Sequence, residues 1–334
     1  MTGGAGFIGS HLCDRLLASG WSVTCLDNYA SGSRSNVAHL LGNPSFSLVE
    51  RDVAAAPLED EWAADRYYHL ASPASPNARS ARSYMALPLE TALVNSIGTK
   101  HILDLAHRNG GRVLFSSTSE IYGDPQVHPQ SEGYRGNVSS TGPRSCYDES
   151  KRFGEALCMV YVRTYGVDAR IARIFNTYGP RMDPDDGRML PNFITQALRD
   201  EPLTVYGDGS HTRSLCYVDD LVQGLMAMME SNRDDAAGRV YNLGNPDEHT
   251  VREYAEKVLE LIPSSTSRIV FDDPAPGDPT RRRPDILRAQ RELGWTPRIS
   301  LKEGLANTID WFRRALGIQG DTRHREVSGA ARHA

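Results

Sequence analysis

Lysine is almost missing from this 334-residue chain, in which arginine outnumbers it 33 to 4. The ratio reads as genome composition and carries little about function. Net charge is −5, and no basic run exists to match a phosphate backbone, so no nucleic-acid partner is expected. No apolar run approaches the roughly 18 residues of a membrane span, and no signal-peptide pattern is present. The five cysteines, Cys13, Cys25, Cys146, Cys158 and Cys216, are odd in number and lack CxxC spacing. That argues against a disulfide framework or a metal site and leads to the expectation of reduced thiols in a cytoplasmic protein. Internal repeats are also lacking. What remains is an ordinary globular composition, 40% hydrophobic and 24% charged. The length exceeds what one core comfortably serves, so one large domain or two lobes is expected.

Short apolar runs alternate with amphipathic stretches through the first 175 residues or so. Strands are expected at 22–27, 46–52, 66–72, 112–119 and 169–176, with helices at 7–19, 88–109 and 147–166 between them. Such alternation implies βαβ units. The fold class is therefore α/β, a Rossmann-type doubly wound parallel sheet, with ligands at the carboxyl ends of its strands. After residue 176 the texture changes. Helices near 190–200, 218–231, 250–262 and 301–316 are separated by loops rich in Pro, Gly and Asp, and 271–285 reads as one long irregular stretch. Residues 1–176 are read as the dinucleotide-binding domain, with strands added from later segments, and 177–317 as a smaller substrate-binding lobe. The stretch 318–334 has no periodicity and reads as a disordered tail.

The chain opens "MTGGAGFIGSHL". Gly4-x-Gly6-x-x-Gly9 matches the dinucleotide fingerprint, and Gly3-x-x-Gly6-x-x-Gly9 the related three-residue spacing. Glycines there allow a tight turn and let backbone N–H groups approach a pyrophosphate at a helix N-terminus. Asp27 closes the next strand, where an acid holds the adenosine ribose hydroxyls and repels a 2′-phosphate, so NAD is favoured over NADP. Only Met1 and Thr2 stand before Gly3, so the strand expected ahead of the turn is missing. The expectation is that the natural start lies several residues upstream, or that the protein is compromised.

"CYDESK" places Tyr147 and Lys151 four apart, on one helix face. A phenol titrates near pH 10, and service as a base near neutrality requires about 4 kcal/mol of anion stabilisation. An ammonium and a cationic nicotinamide provide that kind of stabilisation. Taken alone, YxxxK is a common surface pairing; behind a dinucleotide fingerprint and a strand ending in hydroxyls, catalysis is favoured.

Together with "LDNYASG", "HLASPASP", "STSEIYGDPQVHPQSE", "GPRSCYDESKR", "RIFNTYGPRM", "LTVYGDGSHTRS", "YNLGNP", "RRRPDI" and "LGWTPRISLKEGL", these motifs resemble the extended short-chain dehydrogenase/reductases. Within them the chain resembles the UDP-glucuronate decarboxylases (UDP-xylose synthases), over nearly all of residues 2–312. The resemblance implies that Tyr147 takes the C4 hydroxyl proton while NAD+ receives the C4 hydride. The 4-keto acid then loses CO2, C5 is protonated, and the hydride returns. It implies that Thr118 holds the C4 oxygen with Tyr147, that Ser119 and Glu120 lie near C5 and C6, and that Arg282 arrives from the second lobe. Arg282 is preferred as an electrostatic partner over a proton donor, because a guanidinium is a reluctant acid.

For the cofactor the resemblance implies Gly3, Gly6, Phe7, Ile8 and Gly9 at the turn and Asp27 and Asn28 at the ribose. Asp52, Val53, Leu70, Ala71 and Ser72 follow along the strand ends, with Tyr147 and Lys151 at the nicotinamide. Asn176, Arg181, Tyr206, Arg213 and Arg282 would bind the UDP-sugar, arginine suiting the diphosphate through its planar fork. The plainer reading pairs Arg213 and Arg282 with acids such as Asp208 and Asp285. A homodimer through 88–109 and 147–166 is implied. Two departures stand out: the 77–84 loop is longer than expected, and Arg135 replaces an aromatic residue. The alternatives are a nucleotide-sugar 4-epimerase, a 4,6-dehydratase, and an NAD-sensing scaffold with a relict site. Dehydratases resemble "TDE" where this chain has Thr118-Ser119-Glu120, and simple epimerases usually lack the carboxylate. A scaffold would be expected to lose Tyr147, Lys151 or Thr118.

Overall fold

The computed structural model describes residues 1–273 and 281–318. Strands β1 (Val23–Asp27), β2 (Phe46–Glu50), β3 (Arg66–His69), β4 (Arg112–Thr118) and β5 (Ala169–Ile174) all begin within three residues of their expected positions. Helix α1 (Phe7–Ala18) precedes β1, α2 (Pro88–Leu93) and α3 (Thr99–Asn109) lie between β3 and β4, and α4 (Ser145–Tyr165) lies between β4 and β5. The helix expected at 88–109 is interrupted by a wide π-helical turn over Val94–Gly98, of the kind often found beside functional sites.

Beyond β5 come β6 (Thr177–Tyr178), α5 (Met189–Leu198), β7 (Leu203–Tyr206), β8 (Thr212–Ser214), β9 (Cys216–Tyr217) and α6 (Val218–Glu230). Then follow β10 (Val240–Leu243), β11 (Glu248–Thr250), α7 (Val251–Leu261), β12 (Ile269–Asp272), β13 (Arg281–Arg282), α8 (Leu287–Leu293) and α9 (Leu301–Ala315).

All pairings in the main sheet are parallel. β2 pairs with β1, and β3, β4, β5 and β10 follow one another. Thr2 bridges the two sets, pairing with Leu26 of β1 and His69 of β3. The Thr2 amide donates to Tyr68 O at 2.9 Å, and its carbonyl accepts from Leu70 N at 3.1 Å. β10 joins the sheet from the second half of the chain, pairing with β5. β4 is buried from Val113 through Thr118, as befits a strand covered by helices on both faces. The β4–β5 register pairs Val113 with Ala169 and Thr118 with Ile174, which carries the Ser116–Thr118 hydroxyls to the carboxyl edge of the sheet.

α4 explains the placement of the tyrosine and lysine. Among its buried residues, Tyr147, Lys151, Gly154, Cys158 and Tyr161 recur every three or four positions, one helical stripe against the sheet, with Asp148 buried beside Tyr147. A Cβ on Gly154 would stand 2.3 Å from the Phe115 ring, so this glycine lets α4 approach β4 closely. The helix ends at Gly166 in a left-handed conformation.

The second half is built from short pairings: β7 with β12, β6 with β9, and β8 between β11 and β13. The long irregular stretch expected at 271–285 is corrected at both ends. Phe271 and Asp272 lie in β12, and Arg281 and Arg282 form β13. These strands pair with partners tens of residues upstream, so local composition does not reveal them. Residues 274–280 lie outside the described residues. So does the expected tail from 319 onward, whereas Ile318 still donates its amide to Arg313 O at 2.9 Å. α8 is a further element the sequence did not announce; it is short, and only Ala289 within it is buried.

Candidate active site

A cavity of about 1220 Å³ runs along the carboxyl edge of the sheet and under the second half of the chain. That exceeds the roughly 300–1,000 Å³ of a single small-molecule pocket. At one end lie Gly3, Gly6, Phe7, Ile8, Gly9, Asp27, Asn28, Asp52, Val53, Leu70, Ala71 and Ser72, so every residue expected at a dinucleotide faces the same cleft. A Cβ on Gly9 would fall 2.1 Å from Gly3 O, and one on Gly3 2.6 Å from Ala71 N. The turn therefore leaves no room for side chains. Asp27 is buried, which pushes its carboxyl up, while amides of Tyr29 and Ala5 donate to it at 2.9 Å each and pull it back. The same carboxylate that faces the cleft thus also holds the glycine turn to β1. Asp52 and Asn28 accept from Ala54 N at 2.8 Å and Ala30 N at 3.1 Å.

At the other end α4 and β4 meet. Thr118 of β4 and Tyr147 of α4 both line the cleft, and the Thr118 hydroxyl favours the phenolate. Burial nevertheless pushes the Tyr147 phenol up to about 12, and burial pulls the Lys151 ammonium down to about 7. Lys151 Nζ donates to Ser116 O at 2.7 Å and lies 5.9 Å from the Tyr147 ring centre. Burial thus favours the neutral phenol and weakens the hold of Lys151 on its proton. The Thr118 hydroxyl and the Arg188 guanidinium pull the phenol down, but burial outweighs them.

β4 ends at Thr118, and Ser119–Tyr122 form a 3-10 turn in which Thr118 Oγ1 accepts from Glu120 N at 3.2 Å. That turn aims Glu120 inward. Its carboxylate forms ion pairs with Arg282 of β13 and with Arg144 at the start of α4. Burial raises Glu120, but the two guanidiniums outweigh it and leave the carboxyl below the usual glutamate range. The plainer pairing of Arg282 with Asp285 is not what forms: Arg282 reaches Glu120 across 162 residues of sequence. Arg282 Nη2 also donates to Gly123 O at 3.3 Å.

Asn176, Arg181, Tyr206 and Arg213 line the same cleft. Arg181 adopts a left-handed conformation, φ +65°, and its guanidinium donates to Asp14 of α1 at 2.6 Å. Tyr206 stands half exposed at the end of β7. Arg213 lies beside Arg282 in the β8–β13 register and donates to Thr212 O at 2.8 Å.

Three residues that sequence reasoning left without a role join this end. Tyr84, only 1% exposed, stacks on Tyr147 with ring centres 4.8 Å apart and planes 6° from parallel. It arrives from the lengthened 77–84 loop, whose Arg82 pairs at the surface with Asp183 at 3.3 Å. Arg144 clasps Glu120, and Asp148 lines the cleft beside them. The motifs "SYMALP" and "GPRSCYDESKR" carried all three, but only the folded chain brings them to Glu120. All five cysteines are unbridged. Among the described residues no group of His, Cys, Asp or Glu has the makings of a metal site, and no helix is long and apolar enough to cross a membrane.

Comparison with known proteins agrees with this geometry. UDP-glucuronic acid decarboxylase 1 of Danio rerio is 50% identical over 332 residues, covering 99% of this chain and 76% of the relative. UDP-glucuronic acid decarboxylase 6 of Arabidopsis thaliana is 50% identical over 319 residues, covering 95% and 89%. Among solved structures, the UDP-glucuronic acid 4-epimerase of Bacillus cereus in complex with UDP-glucuronic acid and NAD superposes with a TM-score of 0.83. It is 29% identical and is covered over 98% of its length by 94% of this chain. The model of the NAD dependent epimerase/dehydratase family matches residues 1–244. A glycine turn without room for side chains, a Tyr147–Lys151 face and a match across most of the chain lead to one conclusion: the chain belongs to the NAD dependent epimerase/dehydratase family.

Proposed function

We propose that this protein is an NAD-dependent carboxy-lyase that converts UDP-glucuronate to UDP-xylose. The observation that carries the reading is the Glu120–Arg282 pair set next to Ser119 at the end of β4. It supplies charge where a carboxylate departs and no acid for expelling water. The decarboxylase names of relatives at 50% identity support the same choice.

The first cleft end fits NAD, since Gly3 and Gly9 pack backbone to backbone with no room for a Cβ, and the tight turn they form leaves N–H groups at the start of α1 for a pyrophosphate. NAD held there by the Gly3–Gly9 turn and Asp27 would supply reversible hydride exchange at C4. The chain's own residues do the rest. Tyr147 removes and later returns the proton of the C4 oxygen, with Thr118 as its hydrogen-bond partner. Lys151 lends positive charge to the phenolate. The C5 carboxylate becomes β to a ketone, so CO2 leaves unassisted and its electrons enter an enolate. Arg282 balances first the carboxylate and then the enolate, and Glu120 holds Arg282 in place. Asn176, Arg181, Tyr206 and Arg213 bind the UDP portion. In this reading residues 1–176 hold the cofactor and carry the groups that act at C4, and 177–317 mainly bind the sugar nucleotide. The unbridged thiols favour the cytoplasm.

A homodimer is part of the proposal. Phe153 and Val160 lie two helical turns apart on α4 and are 54% and 50% exposed, with Leu89 and Ile97 exposed on the neighbouring helical segments. An apolar stripe of this kind marks an interaction face.

The deciding experiment incubates the protein with NAD+ and C6-13C UDP-glucuronate. Labelled bicarbonate and UDP-xylose are expected. A changed sugar without labelled CO2 would establish a 4-epimerase instead, and bound NAD with no turnover would establish a sensor.

A further inference from the structure

Four buried polar atoms around Glu120 have no hydrogen-bond partner: Tyr84 Oη, Arg144 Nε, Asp148 Oδ1 and Arg282 Nε. Buried polar groups are almost always bonded to protein or to water, so this end of the cleft is arranged for waters or a ligand. Asp148 is the unexpected member. It is 8% exposed, follows Tyr147 directly, and lines the cleft.

The groups facing it are Glu120, Arg144, Arg282 and Glu149, with Tyr84 alongside. Burial and the Glu120 charge raise the Asp148 carboxyl to about 7, against the pull of the two arginines. Glu120 itself is held ionised by Arg282 and Arg144, so it has no proton to give. The guanidiniums are poor acids, and the Tyr147 proton is committed to the C4 oxygen. Resting on the decarboxylase reading, one demand is then unmet. When the C5–C6 bond breaks, its electron pair becomes the C4–C5 enolate, and C5 must gain a proton before the C4 carbonyl re-forms.

We infer that Asp148 is a positioning residue for that step, passing its proton through a water at Glu120 to C5. The transfer leaves Asp148 as a carboxylate beside Arg144 and Arg282, and it recovers a proton from solvent when product leaves.

The test is a single turnover of holoenzyme with C6-13C UDP-glucuronate in deuterated water, following labelled CO2, NADH absorbance and C5 deuterium together. With Asp148→Asn, CO2 release is expected near the wild-type rate. Formation of C5-deuterated UDP-xylose should fall about 10²-fold, the lower end for a lost proton-transfer group, while NADH persists. In the wild type, the NADH decay phase should slow as pH rises through about 7 while CO2 release does not, and the variant should lack that dependence. CO2 release and product formation falling together would make Asp148 structural and overturn the inference, as would an unchanged variant. Should the variant fold poorly, the wild-type pH series decides alone: a CO2-to-product ratio indifferent to pH overturns it. No labelled CO2 from the wild type overturns the decarboxylase reading and this inference with it. CO2 release with unaltered product formation in the variant overturns this inference only.

Discussion

Replacing Glu120 with glutamine removes the charge that two arginines share while keeping the shape of the side chain. Arg282 is 5% exposed, and the Arg144 side chain keeps 28%, so one of the two cations is left nearly buried without its counter-charge. Removing one partner of a buried ion pair costs about 3–5 kcal/mol. The Glu120 side chain retains 17% exposure, and glutamine keeps one acceptor, so about 2–3 kcal/mol is the expected loss. At about 2–4 °C per kcal/mol for larger domains, the melting temperature should drop by about 4–12 °C. The sign with pH follows from the depressed Glu120 carboxyl. Its stabilisation is present above the usual glutamate range and is lost as pH falls through the folded-state value. Paired thermal melts of the cofactor-loaded proteins should therefore differ most near neutrality and converge only in acid. NAD affinity should be unchanged and turnover impaired. Equal melting temperatures near neutrality would show that the arginines do not depend on this carboxylate, and the electrostatic account of the site would fail.

Other outcomes test other parts of the cleft. Tyr147→Phe removes the group at the C4 oxygen and should abolish both NADH formation and CO2 release on mixing with UDP-glucuronate; persistent oxidation would remove Tyr147 from the mechanism. Gly9→Ala places a Cβ 2.1 Å from Gly3 O, and an overpacking cost of about 1–3 kcal/mol should weaken NAD binding by about 5–150-fold in calorimetry. Lys151→Met should stabilise the cofactor-free protein near neutrality, because a lysine held down at about 7 costs stability below that pH. The cost fades as pH rises towards the unfolded lysine value, so melting curves of the two proteins should approach each other in alkali. Phe153→Asp on the exposed α4 stripe should shift the protein to monomer in sedimentation; an unaltered mass would put any interface elsewhere.

The sequence by itself determined the parts of this protein that depend on local periodicity and spacing. The glycine turn, Asp27 at the next strand end, and Tyr147 and Lys151 four apart on one helix face are all patterns of a few residues. The strands and helices of the first half were legible for the same reason, since a parallel sheet writes apolar runs between amphipathic ones. The short strands β12 and β13 were not legible, because their pairing with β7 and β8 is a contact between distant segments. The same limit applied within the site. "STSEIYG" showed a carboxylate at a strand end, but its partners, Arg144 and Arg282, lie 24 and 162 residues away. Tyr84 on Tyr147 and the raised Asp148 carboxyl likewise depend on burial and on which charges face which. Those properties exist only once the chain has closed, because the cost of burying a charge and the worth of its partner are set by tertiary distance, not by order along the chain.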